Sequence, residues 1–466
     1  MPGASHFLNS RTVTEAARTG VALTAAWRHR RAAPEQIRAY QDRRLRQLVA
    51  HAYERVPYYR KLFDQHRLRP EHIRGVVDLG LIPITPRSDV QDLAREETLA
   101  RGWEAVALME RSTSGSTGQP LTIRRGWLED RLLRGFLWRA LYGWGAKTSD
   151  RLVSVHLMRG LDDAAALKPT DHRAPPSRLF RRRLHDVVPI DCRQRPEDIL
   201  RQLRDIKPQV ITGLPGVLTR VALLLDDEDR QLLPQRFVSP YGEVVTPLMR
   251  SRLEAGFGAP VLQTYRSIEF VILAWECGQT GEFHTCDDAV VLEVLKNGRP
   301  VEPGEHGEMV ATALHSFAMP FIRYAVGDMV TRGADACVCG QPFGTIRQIQ
   351  GRMIDYFVLP HGGLVHPYQL TMAFLHLAPW IREYQLVQER TDRVVLRVVP
   401  FETPTAEQAA SVRQALSQRL GPGVEVDVMV VPEILLEPGG KLRPSRSLVK
   451  SEYDGIDWEA SSPASP

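Results

Sequence analysis

The sequence predicts an α/β protein with a large N-terminal α/β domain, residues 1–350, and a small α+β C-terminal domain, residues 351–466. Three features carry that reading. From 150 to 270 short apolar runs alternate with helical patterns: RLVSVHLM, PQVITGLP leading into GVLTRVALLL, RFVSPYGE and PVLQTY. That is the rhythm of strand and helix units around a sheet. Residues 289–330 change to strand and turn character (VVLEVL, NGRP, GEMVATAL), which marks a β-rich subdomain over about 271–345. After Gly351 come strand-like DYFVL, a His361-Gly362-Gly363 turn, a short helix from Pro367, the runs REYQLVQ and DRVVLRVV, a helix over 404–420 and the strand VEVDVMVV. A chain of 466 residues is long enough for such a division.

Residues 35–66 read as helical, with Leu45, Leu48, Val49 and Ala52 on one apolar stripe and Pro57 as an interruption. Arg28, Arg30, Arg31, Arg43, Arg44 and Arg46 recur there and read as a solvated helix face. LIPITPRSD, residues 81–89, holds two prolines and no period and is expected to be an extended connector. Asn297-Gly298 and Pro303-Gly304 fit hairpin turns. Thr403 and Pro404 open the 404–420 helix and Gly421 closes it. Asp328 falls between two apolar strands, the usual place of a capping or turn carboxylate.

Composition excludes several classes. With 43% hydrophobic and 25% charged residues the chain is of ordinary globular type. The net charge of +5 suits an anionic substrate, and no aromatic-rich basic stripe accompanies it, so nucleic acid is not an expected partner. No apolar run reaches the ~20 residues of a membrane span and no hydrophobic signal core opens the chain, so no membrane partner and a cytoplasmic location are expected. Five cysteines, unevenly spaced, suit reduced thiols or metal ligands better than a disulfide framework.

The strongest local signal is Ser112-Thr113-Ser114-Gly115-Ser116-Thr117-Gly118-Gln119-Pro120. Its glycines let backbone N–H groups crowd around an anion, its hydroxyls add short donors, and no Gly-Lys-Ser/Thr ends it as in a P-loop. The alternative is a plain surface loop. Cys277, His284, Cys337 and Cys339 form C-x6-H followed by C-x-C-G, three thiolates and an imidazole suited to structural zinc (Zn2+). Cys286 is an alternative fourth ligand, and ordinary buried thiols are the plain reading.

The glycine-rich loop, together with several elements C-terminal to it, resembles the adenylate-forming superfamily of acyl-CoA synthetases, adenylation domains and luciferases, and within it the phenylacetate-CoA ligase family. The resemblance runs from about residue 45 to 450. HAYERVPYYRKLF and LIPITPRSD are similar to that family's N-terminal region. The resemblance implies that Thr113, Ser114, Gly115, Ser116, Thr117 and Gly118 hold ATP phosphates and that Tyr241-Gly242-Glu243 lies against adenine. Tyr265-Arg266-Ser267-Ile268-Glu269 is similar to the Tyr-Gly-x-x-Glu element, which implies that Tyr265 stacks on adenine and Glu269 holds magnesium (Mg2+). Pro320 to Asp328 resembles the element whose aspartate grips the ribose hydroxyls. Gly351-Arg352 is similar to the hinge of a mobile C-terminal domain, and Gly439-Gly440-Lys441 to the loop bearing the adenylation lysine.

The implied activity is ATP-dependent activation of a small carboxylic acid as an acyl-adenylate, then transfer to coenzyme A. An amine acceptor shares every motif, and a non-catalytic nucleotide-binding relative is the remaining alternative. Thr117, Glu269 and Lys441 are the expected catalytic residues. Lys441, a compact cation on a Gly-flanked loop, suits a reaction that brings two anions together. The sequence departs from the family at Arg266, where glycine is usual, so that a long cation either meets an acidic substrate group or faces away. It departs again at Tyr241, a larger residue that would wall the acyl tunnel. A third departure is at Ile354-Asp355, where the hinge aspartate is displaced.

Overall fold

The computed structural model describes residues 10–106, 108–112, 121–158, 186–233, 236–352, 357–365, 367–437 and 441–449. Helices Ser10–His29, Pro34–Arg55 and Pro57–Gln65 open it. Proline stands at the first position of the second and third, where its missing N–H costs nothing. Leu45, Leu48, Val49 and Ala52 are fully buried as one stripe and pack with Tyr59 and Phe63 on Leu314, Ala318 and Ile322. The arginine face is not wholly solvated as expected, because Arg44 turns inward and donates to the Leu314 carbonyl at 3.1 Å.

The connector is extended over residues 82–86 and then enters the short helix Arg87–Gln91. Thr85 forms a parallel bridge to Tyr324, with Thr85 N donating to Arg323 O at 2.8 Å and Ala325 N donating to Thr85 O at 3.0 Å. Strands Leu108–Ser112 and Thr122–Gly126 form an antiparallel hairpin whose last pair is Ser112 with Thr122. Its connection, with Thr113, Ser114, Gly115, Ser116, Thr117 and Gly118, lies outside the described residues. Helix Trp127–Gly143 follows the hairpin directly.

The expected strand and helix units build a four-stranded parallel sheet in the order Asp186–Asp191, Arg151–His156, Val210–Gly213, Phe237–Pro240. Helices Pro196–Ile206, Pro215–Ala222 and Pro247–Phe257 bury apolar faces on it, and Val153, Val155, Ile211, Leu218 and Leu253 share one core. Chain order reverses between the first and third strands of the sequence, so a ligand crevice is expected beyond their C-terminal ends.

The β-rich region is an eight-stranded antiparallel sheet ordered Arg299–Pro300, Val290–Lys296, His306–Ala313, Tyr324–Arg332, Thr345–Arg352, Phe283–Thr285, Ala274–Glu276, Thr264–Tyr265. Asn297-Gly298 closes a hairpin as expected. Pro303-Gly304 does not: the strand before it pairs only with Val290–Lys296, and Gly304 N instead donates to Arg332 O at 2.8 Å. Asp328 is no strand-end residue either. It lies inside Tyr324–Arg332 and pairs with Arg352, because the ladder absorbs the neighbouring irregularities as register shifts.

The C-terminal part is α+β. Hairpin strands Ile381–Arg390 and Arg393–Pro400 gain parallel partners on both sides, Ser445–Ser447 and Glu425–Val430. Helices Pro367–Phe374 and Ala406–Leu420 cover them. The second helix is capped by Thr405, whose hydroxyl accepts from Gln408 N, and not by Thr403 as the sequence suggested, since Pro404 precedes the cap. Met353, Ile354 and Asp355, which hold the expected hinge pivot, lie outside the described residues. No described helix is long and apolar enough to cross a membrane.

Candidate functional site

Tyr265 ends the edge strand of the long sheet, and its hydroxyl donates to Asp328 Oδ2 at 2.5 Å. Three strands lie between theirs in the sheet order, a span of about 19 Å if the sheet were flat at ~4.8 Å per strand. Their contact therefore requires the sheet to curl on itself, and it joins the two residues expected at adenine and ribose. Arg352 pairs with Asp328 through the backbone ladder.

Glu269 follows within the same loop and is 6% exposed. Its Oε1 lies 3.4 Å from both Arg87 Nη1 and the Tyr324 hydroxyl, both loose contacts, and among the described residues Oε2 accepts no hydrogen bond. A hard, partly engaged carboxylate of this kind fits Mg2+, with Arg87 as a competing cation. The loop is held by Arg125, which donates to the Ile268 carbonyl and, at 2.6 Å, to that of Glu269. Burial draws Arg125 down to about 10. This guanidinium ties the hairpin that carries the glycine-rich segment to the Glu269 loop. Val271, two residues on, sits at φ 67, a strained state for a β-branched side chain and of the kind that clusters at functional loops.

Tyr241, Gly242 and Glu243 follow the C-terminal end of strand Phe237–Pro240, and Tyr241 N donates to Gly213 O, at the end of the neighbouring strand, at 3.0 Å. Gly242 takes φ 85, which lets the chain turn there. The Glu243 carboxylate accepts two backbone hydrogen bonds from within the chain. Its Oε2 accepts from Gly216 N at 3.0 Å and its Oε1 from Leu442 N at 2.9 Å, so the carboxylate anchors the segment beside Lys441. Burial pushes Glu243 up to about 7, against the two N–H donors and the Lys441 ammonium, which favour ionisation. Leu442 comes so close that a Cβ on Gly216 would lie 2.4 Å from its own Cβ, so this approach requires glycine. Lys441 itself is half-buried, and its carbonyl accepts from Glu437 N at 2.9 Å.

Further contacts seat the C-terminal part on the parallel-sheet layer. Arg220 forms a forked pair with Glu383, Nε to Oε1 and Nη2 to Oε2 both at 2.8 Å, and Nη2 also reaches Ile434 O at 2.7 Å. Arg252 donates to the carbonyls of Ile381 and Arg382. Sequence reasoning assigns no role to Arg87, Arg125, Arg220 or Tyr324. Only Arg87 and Tyr324 carry a signal, inside the LIPITPRSD connector and the Pro320 to Asp328 element.

The four expected zinc ligands converge. Cys277 follows strand Ala274–Glu276, His284 lies in Phe283–Thr285, and Cys337 and Cys339 come from the turn before Thr345–Arg352; their ligand atoms all lie within 4.8 Å of one another. A tetrahedral zinc sets sulfur–sulfur edges of about 3.8 Å and sulfur–nitrogen edges of about 3.5 Å. Cys337 and Cys277 sulfurs are 3.9 Å apart, and Cys339 Sγ is 3.4 Å from His284 Nε2. Burial lowers His284 to about 4, which keeps the imidazole neutral as a ligand must be. Cys286 is not the alternative ligand, because its sulfur lies 3.4 Å from Arg139 in a buried pair of Arg139 with Asp288.

The curled sheet, the parallel sheet and the C-terminal α+β part together form a fold shared with solved acyl-CoA ligases. The chain superposes on 2-hydroxyisobutyryl-CoA ligase in the postadenylation state in complex with R3-HIB-AMP with a TM-score of 0.76, at 20% identity over 91% of this chain and 92% of that one. Against the same ligase with 2-HIB-AMP and CoA in the thioesterification state the score is 0.61, at 19% identity over 90% and 91%.

Curated phenylacetate-coenzyme A ligases are similar to the chain over most of its length. It is 28% identical to phenylacetate-coenzyme A ligase of Thermus thermophilus over 88% of this chain and 96% of the relative. It is 29% identical to that of Escherichia coli over 86% and 92%. Residues 357–447 match the CapK C-terminal domain.

Proposed function

We propose that this chain is an AMP-forming acid–CoA ligase. A carboxylate oxygen attacks the α-phosphorus of ATP, the bond to pyrophosphate breaks, and the thiol of coenzyme A then takes the acyl group and releases AMP. What supports this reading is the Tyr265–Asp328 contact, the Arg266 guanidinium over Tyr241 and the Glu243 bond to the segment of Lys441, in a chain aligned almost end to end with acid–CoA ligases.

Tyr265 and Asp328 bind the nucleoside, and Thr113, Ser114, Gly115, Ser116, Thr117 and Gly118 bind its phosphates. Glu243 holds the segment of Lys441 against the crevice, where the ammonium offsets the charge of two approaching anions. Glu269 would hold Mg2+, which supplies charge neutralisation on the phosphates when bound. Residues 351–466 form the mobile domain, turning near Gly351-Arg352. Cys277, His284, Cys337 and Cys339 hold a structural zinc in a reducing cytoplasm, clasping the turn at 337–340 to the sheet.

The test is a panel of carboxylic acids with ATP and Mg2+, read by pyrophosphate release with and without coenzyme A. Release that requires the acid, with thioester formed when coenzyme A is added, supports the reading. An adenylate captured only by an amine would redirect it to amide formation, and ADP with orthophosphate would end it.

A further inference from the structure

Arg266 turns toward Tyr241, at the end of the parallel strand Phe237–Pro240. Its Nε donates to Thr264 Oγ1 at 2.6 Å and its guanidinium carbon lies 4.3 Å from the centre of the Tyr241 ring. Those two contacts leave both terminal nitrogens of the fork without an acceptor among the described residues, and no described carboxylate lies within ion-pair distance of it. The charge that bears on it from the neighbouring layer is another cation, Arg134 on helix Trp127–Gly143, whose own Nε is taken by Asp130 at 2.6 Å. Burial lowers Arg266 to about 10, with Tyr241 opposing and Arg134 adding to the fall, so it is still charged at neutral pH.

Arg266 is half-buried, and a cation held beside a second cation is stabilised when an anion completes the arrangement. The planar fork is shaped for a carboxylate taken through two parallel hydrogen bonds. Its position says which anion. Tyr265 turns to Asp328, the side expected to hold the ribose, whereas Arg266, next in the chain, turns to Tyr241 at the end of the parallel strand. An aromatic wall carrying a cation suits an organic acid better than a phosphate chain.

We infer that the acid activated by this chain carries a second carboxylate, which the Arg266 fork receives while the first carboxylate reacts. This rests on the acid-activating reading above and names its substrate class as dicarboxylic acids. Arg266 is then a specificity-determining residue, and the family's usual glycine would leave that carboxylate unpaired.

The experiment compares size-matched pairs of acids, one member with a second carboxylate and one without, by kcat/KM for pyrophosphate release. The expected result is a preference of roughly tenfold or more for the dicarboxylic member. Arg266→Leu removes that preference by raising KM for the diacid, with the monoacid and ATP constants within about threefold of wild type, and Arg266→Lys restores part of it. Wild-type protein that treats the pairs alike overturns the inference but leaves acid activation standing, and needs no variant to fold. A rise in KM for ATP in Arg266→Leu also overturns it, because the anion would then be the nucleotide. No release with any acid removes both the activity and this inference.

Discussion

The seat of the C-terminal part rests on Arg220, so Arg220→Ala is the most informative perturbation of the domain arrangement. The substitution removes two charge-assisted bonds to Glu383 and one to the Ile434 carbonyl, and leaves the Glu383 carboxylate 11% exposed with no counter-ion in that fork. Bonds to charged groups contribute about 1.5–3 kcal/mol each when isolated and fully buried. Arg220 is 23% exposed, and the three share one side chain, so about 2 kcal/mol of docking free energy is a reasonable total. At ~1.4 kcal/mol per tenfold, the docked fraction falls roughly 30-fold relative to the undocked. The assay separates the half-reactions: acid-dependent pyrophosphate release needs the docked Lys441 segment, whereas thioester formation from supplied acyl-adenylate does not. Release should fall roughly 10- to 30-fold and transfer should stay within about threefold, and exchanging the pair as Arg220→Glu with Glu383→Arg should recover most of the loss. Equal loss in both steps, or loss in neither, would show that Arg220 does not hold the docked arrangement.

Three other predictions are independent of that pair. Lys441→Ala should abolish adenylation by about 100-fold or more while transfer from supplied acyl-adenylate persists, the scale of removing one electrostatic contributor; equal loss of both would contradict the role of Lys441. Metal analysis should find one zinc per chain, and Cys337→Ser should lower both zinc content and thermal stability, so a metal-free chain of unchanged stability would remove the zinc clasp. Glu243, raised from 4.5 to about 7, binds more protons folded than unfolded across that window, so its contribution is full below 4.5 and is lost as pH rises through 7. The stability of wild type relative to Glu243→Gln should therefore decline over that window, by on the order of 2 kcal/mol after allowing for partial exposure. A pH-independent difference would show that Glu243 does not titrate there.

Much of the fold was legible where local chemistry decides it. The Leu45 stripe, the alternation over 150–270, the Asn297-Gly298 hairpin and the C-terminal hairpin all stand as the periodicity implied. Local rules misread Asp328, because Gly327 beside it looks like a break while the ladder to Thr345–Arg352 carries the strand through. They placed the helix start at Thr403, since Thr403 and Thr405 flank one proline and only geometry chooses between them. The site was legible as motifs and less so as geometry. Tyr265 and Asp328 meet because a sheet curls over three intervening strands, and Arg220 meets Glu383 across 163 residues of sequence. The turn of Glu243 toward Leu442, 199 residues away, likewise has no local signal. The Cys/His cluster was recoverable because thiol and imidazole spacing is itself chemical information, though only the fold separates His284 from Cys286.

Acid activation of the proposed kind bonds a carboxylate oxygen to the α-phosphorus of ATP, and isotope transfer reads that bond itself. A substrate acid labelled with heavy oxygen in its reacting carboxylate is turned over with ATP and coenzyme A, and the nucleotide product is weighed by mass spectrometry. One labelled oxygen in AMP for each thioester formed is the expected outcome. Label in orthophosphate, or unlabelled AMP beside a completed thioester, would contradict it.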